Sequence, residues 1–110
     1  MTHKMKLVDF AFHAVKSGEK DIEVRLNDEK RRLINIGDTI LFTHIDTGET
    51  IEVKVINLYK FNTFEELFNF FDHKRLGLSD SDTADNMDKF YTKEEQDKYG
   101  ALGIEIVIKD

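Results

Sequence analysis

Residues 18–25 concentrate side chains that could bind a polar ligand. The segment reads Gly-Glu-Lys-Asp-Ile-Glu-Val-Arg and brings Lys20, Glu23 and Arg25 close together in the chain. A carboxylate accepts hydrogen bonds from an exocyclic amine or ring N–H of a base, and the two cations bind carbonyl or phosphate oxygens. The set predicts a site for a base edge or a nucleotide. The alternative is a charged surface pair that meets only solvent.

The alternation of residues 21–27 predicts a half-buried strand that presents part of this set. Glu23 and Arg25 then share one face of the strand, about 7 Å apart. Strict alternation would turn Lys20 toward the apolar face, so we place it in the preceding turn, with its ammonium reaching a cleft. Asn27 lies on the polar face and is a further ligand-binding candidate.

The segment from Asp28 to Arg32 contains the one basic cluster in the sequence. Its cations could bind phosphates at the rim of the cleft, which makes Lys30 and Arg31 candidate site residues. The competing interpretation is a solvated helical turn that Asp28 and Glu29 neutralise. Four aromatic residues are candidates for stacking on a base, namely Tyr59, Phe61, Tyr91 and Tyr99.

Composition narrows the function classes. The 110 residues suit one domain, and their 40% hydrophobic content with nine Phe suffices for one core. The absence of cysteine excludes disulfides, thiolate catalysis and cysteine-based zinc sites. No apolar run reaches the roughly 18 residues of a membrane span, so we expect a cytoplasmic protein without membrane contact.

Charge is unevenly distributed along the chain. The net charge of −6 comes entirely from residues 63–110, because residues 1–62 contain equal numbers of acidic and basic side chains. Non-specific coating of long nucleic acids is therefore disfavoured, whereas recognition of a small ligand or one strand remains open.

No metal or cofactor is expected from the sequence. The four histidines show no spacing typical of zinc ligands, and none has a carboxylate partner at a helical spacing that suggests a site. The acidic run at Ser79–Asp88 lacks the glycine and terminal glutamate of a calcium loop, and it reads as a surface loop that leads into a helix.

The periodicity predicts the elements that must position the candidate residues. A short strand around Met5 precedes a helix over 10–17, capped by Asp9 and ended by Gly18. Strands at 39–45 and 50–60 flank a hairpin loop at 46–48 with Gly48 left-handed. Capping boxes begin helices at Thr63 and Thr92. A last strand spans 102–108, and its pairing with the first strand would protect both edges.

These segments together resemble the ASCH domain family. The resemblance rests on Gly18-x-Lys20-x-Ile22-Glu23-x-Arg25 after a helix, on Gly37-Asp38, on Phe64-Glu65-Glu66-Leu67 and on the ending from Lys98 to Ile106. It covers nearly the whole chain and implies an α+β fold, a PUA-like small mixed β-barrel of about five or six strands flanked by short helices beside a cleft. It also implies a role related to RNA or nucleotides.

Binding of RNA or a nucleotide is the leading interpretation, and two alternatives remain open. One branch of the family hydrolyses the acetyl amide of N4-acetylcytidine with a Lys and a Thr on the corresponding strand and a distant Glu. Lys20 matches the Lys, but Glu23 stands in the place of the Thr, and Glu65 or Glu66 could be the distant acid. In that case Lys20 and Glu23 would be catalytic. The second alternative is a protein-interaction adaptor that uses the acidic second half.

Overall fold

The computed structural model describes residues 1–109 and has an α+β fold. Its strands are β1 (Thr2–Leu7), β2 (Ile22–Leu26), β3 (Thr39–His44), β4 (Thr50–Phe61) and β5 (Ala101–Ile108). The α-helices are α1 (Asp9–Lys16), α2 (Phe64–Phe70) and α3 (Lys93–Tyr99). Short 3-10 turns span Arg31–Leu33 and Ala84–Lys89. The five strands confirm the predicted fold class.

The strands form one curled sheet, an open half-barrel, in the order β1-β3-β4-β5-β2. Only β1 and β3 are parallel. The prediction that the last strand pairs with the first is wrong, because β5 lies between β4 and β2. β4 lies between β3 and β5: residues 50–54 pair with β3, and the strand pairs with β5 from Val53 to Phe61 across a bulge at Val55–Asn57.

The curl of the sheet brings its two edge strands near each other. The Arg25 side chain on β2 crosses to β1, where its Nη2 donates to the carbonyl oxygen of Lys6 over 3.2 Å. A side chain therefore spans the gap that a strand pair would close in a complete barrel. This gap is where the candidate site lies.

Two apolar clusters support the sheet. One packs α1 against β1, β3 and β4 around Phe12 and Phe42, and the other packs α2 against β2 around Ile22 and Leu67. Both are almost free of solvent exposure, so the elements that border the gap have little freedom to move apart. Within residues 1–109, no helix has the length and apolar character needed to cross a bilayer.

Most predicted boundaries are within one or two residues of those observed. The helix predicted over 10–17 begins at Asp9, but Asp9 is not its cap, because Val8 holds that position and no side chain caps the first turn. Gly18 and Gly48 have φ values of 83° and 77°, as their turns require. The full capping box at Thr92 is present, whereas at Thr63 the hydroxyl accepts from the Glu66 N–H and, within residues 1–109, the Glu66 side chain does not return the bond.

Candidate functional site

A cavity of about 220 Å³ opens beside the gap between β1 and β2. One wall comes from Lys6, Leu7 and the start of α1, and a second comes from residues 23–25 of β2 together with Lys20. The rest comes from Phe68 and from residues between 76 and 91. Most of this lining is aliphatic or aromatic, so the few charged groups in it act in a setting with little water.

Lys20, Glu23 and Arg25 meet at this cavity as a bonded group. The Lys20 ammonium lies 3.2 Å from Glu23 Oε1 and donates to the carbonyl oxygens of Ile22 (3.0 Å) and Leu76 (2.8 Å). Arg25 approaches the other oxygen, with its Nε and Nη2 at 2.8 and 2.7 Å from Glu23 Oε2. The carboxylate is therefore held between two cations.

Burial distinguishes this group from a surface ion pair. Only 6% of Lys20 and 4% of Glu23 are exposed, so the interpretation of the charged residues as a solvated pair is wrong. The predicted half-buried strand is wrong for the same reason, because both faces of β2 are covered. The segment that follows α2 passes over this strand, as the contacts of Leu76 with Lys20 illustrate. Its packing there could not be read from alternation within β2.

The two cations keep Glu23 ionised. Burial by itself raises the pKa of this carboxyl, but Coulomb attraction to Lys20 and Arg25, with the hydrogen bonds from both, outweighs that effect and lowers the pKa. Burial by itself lowers the pKa of Arg25, but attraction to Glu23 and the hydrogen bond with it, together with the interaction with Tyr91, outweigh that effect and raise the pKa. At neutral pH the site therefore presents an acceptor-only carboxylate next to a permanent cation.

Local backbone geometry places Lys20 in this group. The helix α1 ends at Lys16, Gly18 follows with a positive φ, and the Lys20 N–H donates to the Ala14 carbonyl oxygen at 3.0 Å, so Lys20 lies in the predicted turn. Gly77 packs directly on its side chain: a Cβ there would lie 2.8 Å from Lys20 Cδ, and φ is +74°. A glycine at 77 is thus what allows the Leu76 carbonyl to reach the ammonium.

The aromatic part of the cavity was largely missed from the sequence. Of the four aromatics proposed to stack, only Tyr91 lines this cavity, and its ring is parallel to that of Phe64 with centroids 5.8 Å apart. Phe90 also lines it and is 64% exposed. The acidic run before these residues was interpreted as a surface loop. The sequence signal for this wall is the apolar group formed by Met87, within that run, and by Phe90 and Tyr91, just after it.

A second cavity, of about 360 Å³, adjoins the first and is basic. The two share Lys6 and Arg25 in their linings. Lys30 and Arg31 lie here, on the β1 side of Arg25, as the sequence interpretation of a cationic rim requires. Arg32 lies elsewhere, since its Nε donates to the Asn27 carbonyl oxygen at 2.9 Å and its guanidinium packs over a tyrosine ring.

Asn27 does not join the other candidates. Its side chain is 8% exposed and lines a separate depression with Lys60, Asn62 and Tyr99. Within residues 1–109 its Oδ1 has no hydrogen-bond partner. Asn27 directly follows the end of β2, two residues beyond Arg25, where the chain leaves the sheet toward Asp28.

The residues considered for hydrolysis are only partly brought together. Lys20 and Glu23 are in contact, but neither Glu65 nor Glu66 lines the cavity. Glu66 lies in the first turn of α2, with its N–H bonded to the cap. Tyr91 has the one hydroxyl group in the described cavity lining.

One histidine cluster contradicts the sequence interpretation. Asp9 and His13 are four residues apart on α1, and they meet His44 in the one group of potential metal ligands within residues 1–109. His44 Nδ1 accepts the N–H groups of Asp46 and Thr47 at 3.0 and 3.2 Å, so its proton is on Nε2, which donates to Asp9 at 2.8 Å. A metal at Nε2 requires the opposite tautomer, so this arrangement fits a hydrogen-bonded pair better than a metal centre.

Comparison with known proteins agrees with the fold and the sequence pattern. The family model described as ASCH domain matches residues 5–109. The crystal structure of hypothetical protein PH0355 is 32% identical with a TM-score of 0.85, over 99% of this chain and 100% of that one. The solution structure of protein PF0455 from Pyrococcus furiosus is 31% identical with a TM-score of 0.77, over 100% and 99%. No significant match is found among curated proteins. This chain belongs to the ASCH domain family and has its PUA-like fold.

Proposed function

We propose that the cleft beside β2 binds one unpaired base, of RNA or of a free nucleotide. The observation that carries this proposal is the ionised Glu23, buried between Lys20 and Arg25 at the wall of a largely apolar cavity. Desolvating three charges is costly unless the geometry is well satisfied, so their placement at a cavity wall has a functional explanation in ligand recognition.

The chemistry of the wall suits a base edge. Within residues 1–109, the polar contact of Glu23 Oε1 is with the Lys20 ammonium alone, so this oxygen keeps capacity to accept from an exocyclic amine or ring N–H. Arg25 bonds Glu23 and the Lys6 carbonyl oxygen through Nε and Nη2 and also interacts with the Tyr91 side chain, so the remaining donor capacity of its guanidinium, next to Tyr91, is what it offers to a base carbonyl. Tyr91 and Phe90 supply aromatic faces on which a base can stack.

The size of the cavity favours a small ligand. Its volume of about 220 Å³ is below the range of about 300–1000 Å³ that is typical of sites for drug-sized ligands. One base with part of its ribose fits such a space, whereas a folded nucleic acid or a peptide helix does not enter it.

Binding explains this geometry better than amide hydrolysis does. The three N–H bonds of the Lys20 ammonium already point to three acceptors, so Lys20 holds Glu23 in place and is not poised to act as a base or nucleophile. Glu23 is itself ion-paired on both oxygens. In this proposal Lys20 is a positioning residue, and Glu23 and Arg25 contact the ligand.

A titration of isotope-labelled protein tests the proposal. The four nucleosides and their 5′-monophosphates are added separately, and we expect amide shifts in residues 18–27 and around Tyr91 for at least one of them. Phe90→Ala should weaken binding about 10-fold, because a stacked base contributes about 1–3 kcal/mol. Because the Phe90 side chain is mostly exposed, this substitution should not disturb the fold.

Two glutamate-to-glutamine substitutions, one in the cleft and one on the surface, provide a matched comparison. Glu23→Gln should abolish the shifts, whereas Glu49→Gln, which removes an exposed carboxylate paired with Lys16, should leave them intact. Absence of shifts in residues 18–27 at millimolar concentrations of every nucleoside and nucleotide would refute the proposal.

A further inference from the structure

The cavity next to the base cleft concentrates positive charge. Its polar lining includes Lys4, Lys6, Arg25, Lys30 and Arg31, together with His3 and Thr43, and within residues 1–109 it contains no carboxylate. The whole chain has a net charge of −6, so a wall of five permanent cations is a strong local departure from its average.

Three of these cations have no internal counter-charge. Arg25 is paired with Glu23, and Arg31 with Asp28 at 2.9 Å. By contrast, none of the ion pairs within residues 1–109 involves Lys4, Lys6 or Lys30, whereas Lys16, Lys93 and Lys109 each have a carboxylate partner. About three charges are therefore available to an anionic ligand.

Arg31 adds a further unmatched donor. Its Nε is buried and has no hydrogen-bond partner in the described part of the chain. Buried donors of this kind are uncommon in folded proteins, because leaving one unmatched costs about 1–3 kcal/mol. The atom itself is covered, so an oxygen-rich anion in this cavity satisfies it only through a shift of the Arg31 side chain.

The structure assigns this basic cavity to the phosphates of a single-stranded nucleic acid whose unpaired base occupies the cleft. The inference rests on the proposed function, and it extends that function from one nucleotide to a chain. The two cavities share Lys6 and Arg25, so a base in one continues directly into a backbone in the other. The second cavity, at about 360 Å³ against about 220 Å³, has room for more than one phosphate.

The strand must be single at this point. A base enters the cleft only when it is unstacked and unpaired, whereas a duplex keeps its bases stacked and paired in the interior of the helix. RNA and DNA share the phosphodiester chemistry that the lysines recognise, so the same sequence in both forms distinguishes these two sources.

Affinity as a function of ligand length and salt tests this inference. The probes are mononucleotides and a labelled hexamer that contains all four bases, as RNA and as DNA, measured by fluorescence anisotropy. We expect at least one hexamer to bind 10-fold or more tighter than any mononucleotide. Three phosphate contacts on a single strand predict a slope of about −2 for log affinity against log salt.

Lysine variants locate the contact. Lys4→Gln and Lys30→Gln should each reduce hexamer affinity severalfold and make the salt slope shallower by about 0.7. Lys54→Gln is the matched control, because Lys54 is exposed, has no ion-pair partner within residues 1–109 and lines neither cavity. All three are surface substitutions, so the fold is preserved.

The outcomes separate this inference from the proposed function. If nucleotides bind in the cleft but hexamers bind no tighter, or if the lysine variants behave like Lys54→Gln, the strand assignment is refuted and the base site stands. If hexamers bind with the expected slope and lysine dependence but residues 18–27 show no shifts, the base site fails and the phosphate groove stands. A duplex that binds as tightly as the hexamer refutes the single-strand assignment.

Discussion

Replacement of Lys20 by methionine isolates the energetic role of the buried ionic group. Methionine is close in length to lysine and apolar, so Lys20→Met removes the charge and its donors while retaining most of the packing against Gly77. The change leaves Glu23 with Arg25 as its one cation, and it leaves the carbonyl oxygens of Ile22 and Leu76 without the ammonium.

The expected loss follows from burial. Removing one partner of a buried ion pair costs about 3–5 kcal/mol, because the remaining charge stays away from water. Arg25 still compensates Glu23, which argues for the lower end of that range, about 3 kcal/mol. Lys16→Met is the control, since its pair with Glu49 is half exposed and pairs of that kind contribute under about 1 kcal/mol.

Urea unfolding followed by far-ultraviolet circular dichroism measures both variants. We expect a much lower midpoint with an unchanged slope for Lys20→Met and a near wild-type midpoint for Lys16→Met. The double variant Lys20→Met with Glu23→Gln should lose less than the sum of the single losses, because the stranded charge is gone. Equal effects of Lys20→Met and Lys16→Met would refute the argument that a buried charge dominates the stability of this site.

The same reasoning predicts a pH dependence. The pKa of Glu23 is below its ordinary value of 4.5 in the folded protein, so its ionisation stabilises the fold above that pH. This contribution is lost as the pH falls below 4.5 toward the lowered pKa, because the folded state must then take up a proton that the unfolded state already holds. Wild-type stability should decline over this interval more steeply than that of Glu23→Gln. Parallel declines would show that Glu23 has no such role.

Three further predictions concern other parts of the molecule. Hydrogen bonds from His3, then from the Asn35 backbone and the N-terminus, lower the pKa of Asp38 from 3.8 to about 2. Asp38→Asn should therefore reduce the loss of folding stability as the pH falls from 3.8 to about 2. An unchanged dependence of stability on pH over this interval would contradict the prediction. Gly77→Ala should destabilise the fold through both its positive φ and its contact with Lys20, measured by urea unfolding, and a neutral effect would refute the close approach. Incubation with N4-acetylcytidine should release no more cytidine than the Lys20→Met variant does, and excess release would instead support hydrolysis.

The local part of the site was predictable from the sequence. Alternation and the turn at Gly18 placed Glu23 and Arg25 on one face and Lys20 before the strand, and the structure brings the three together. These relations depend on neighbours within eight residues, where the backbone geometry leaves few choices. The binding role of these residues stays a prediction.

The parts that were not predicted depend on distant contacts. Leu76 and Gly77 pack on Lys20 from more than fifty residues away in the sequence. The periodicity of residues 18–27 does not indicate that these residues contact Lys20. The same holds for Asp9, whose carboxylate bonds His44 rather than capping its helix. The pairing of β5 with β4 and not with β1 is likewise a contact between distant segments. The alternation within one strand does not indicate which other strand it pairs with.

The ionic group also explains how an acidic protein could select a polyanion. Glu23 offsets one of the two charges of Lys20 and Arg25 and fixes both side chains in bonded positions, so this group favours oriented hydrogen bonding over simple attraction. Three uncompensated lysines, Lys4, Lys6 and Lys30, line the adjoining cavity, where phosphates would lie. Base recognition and backbone attraction are thereby assigned to separate walls that meet at Arg25. Because the remaining surface is acidic, a nucleic acid that does not place a base in the cleft gains little elsewhere on the protein.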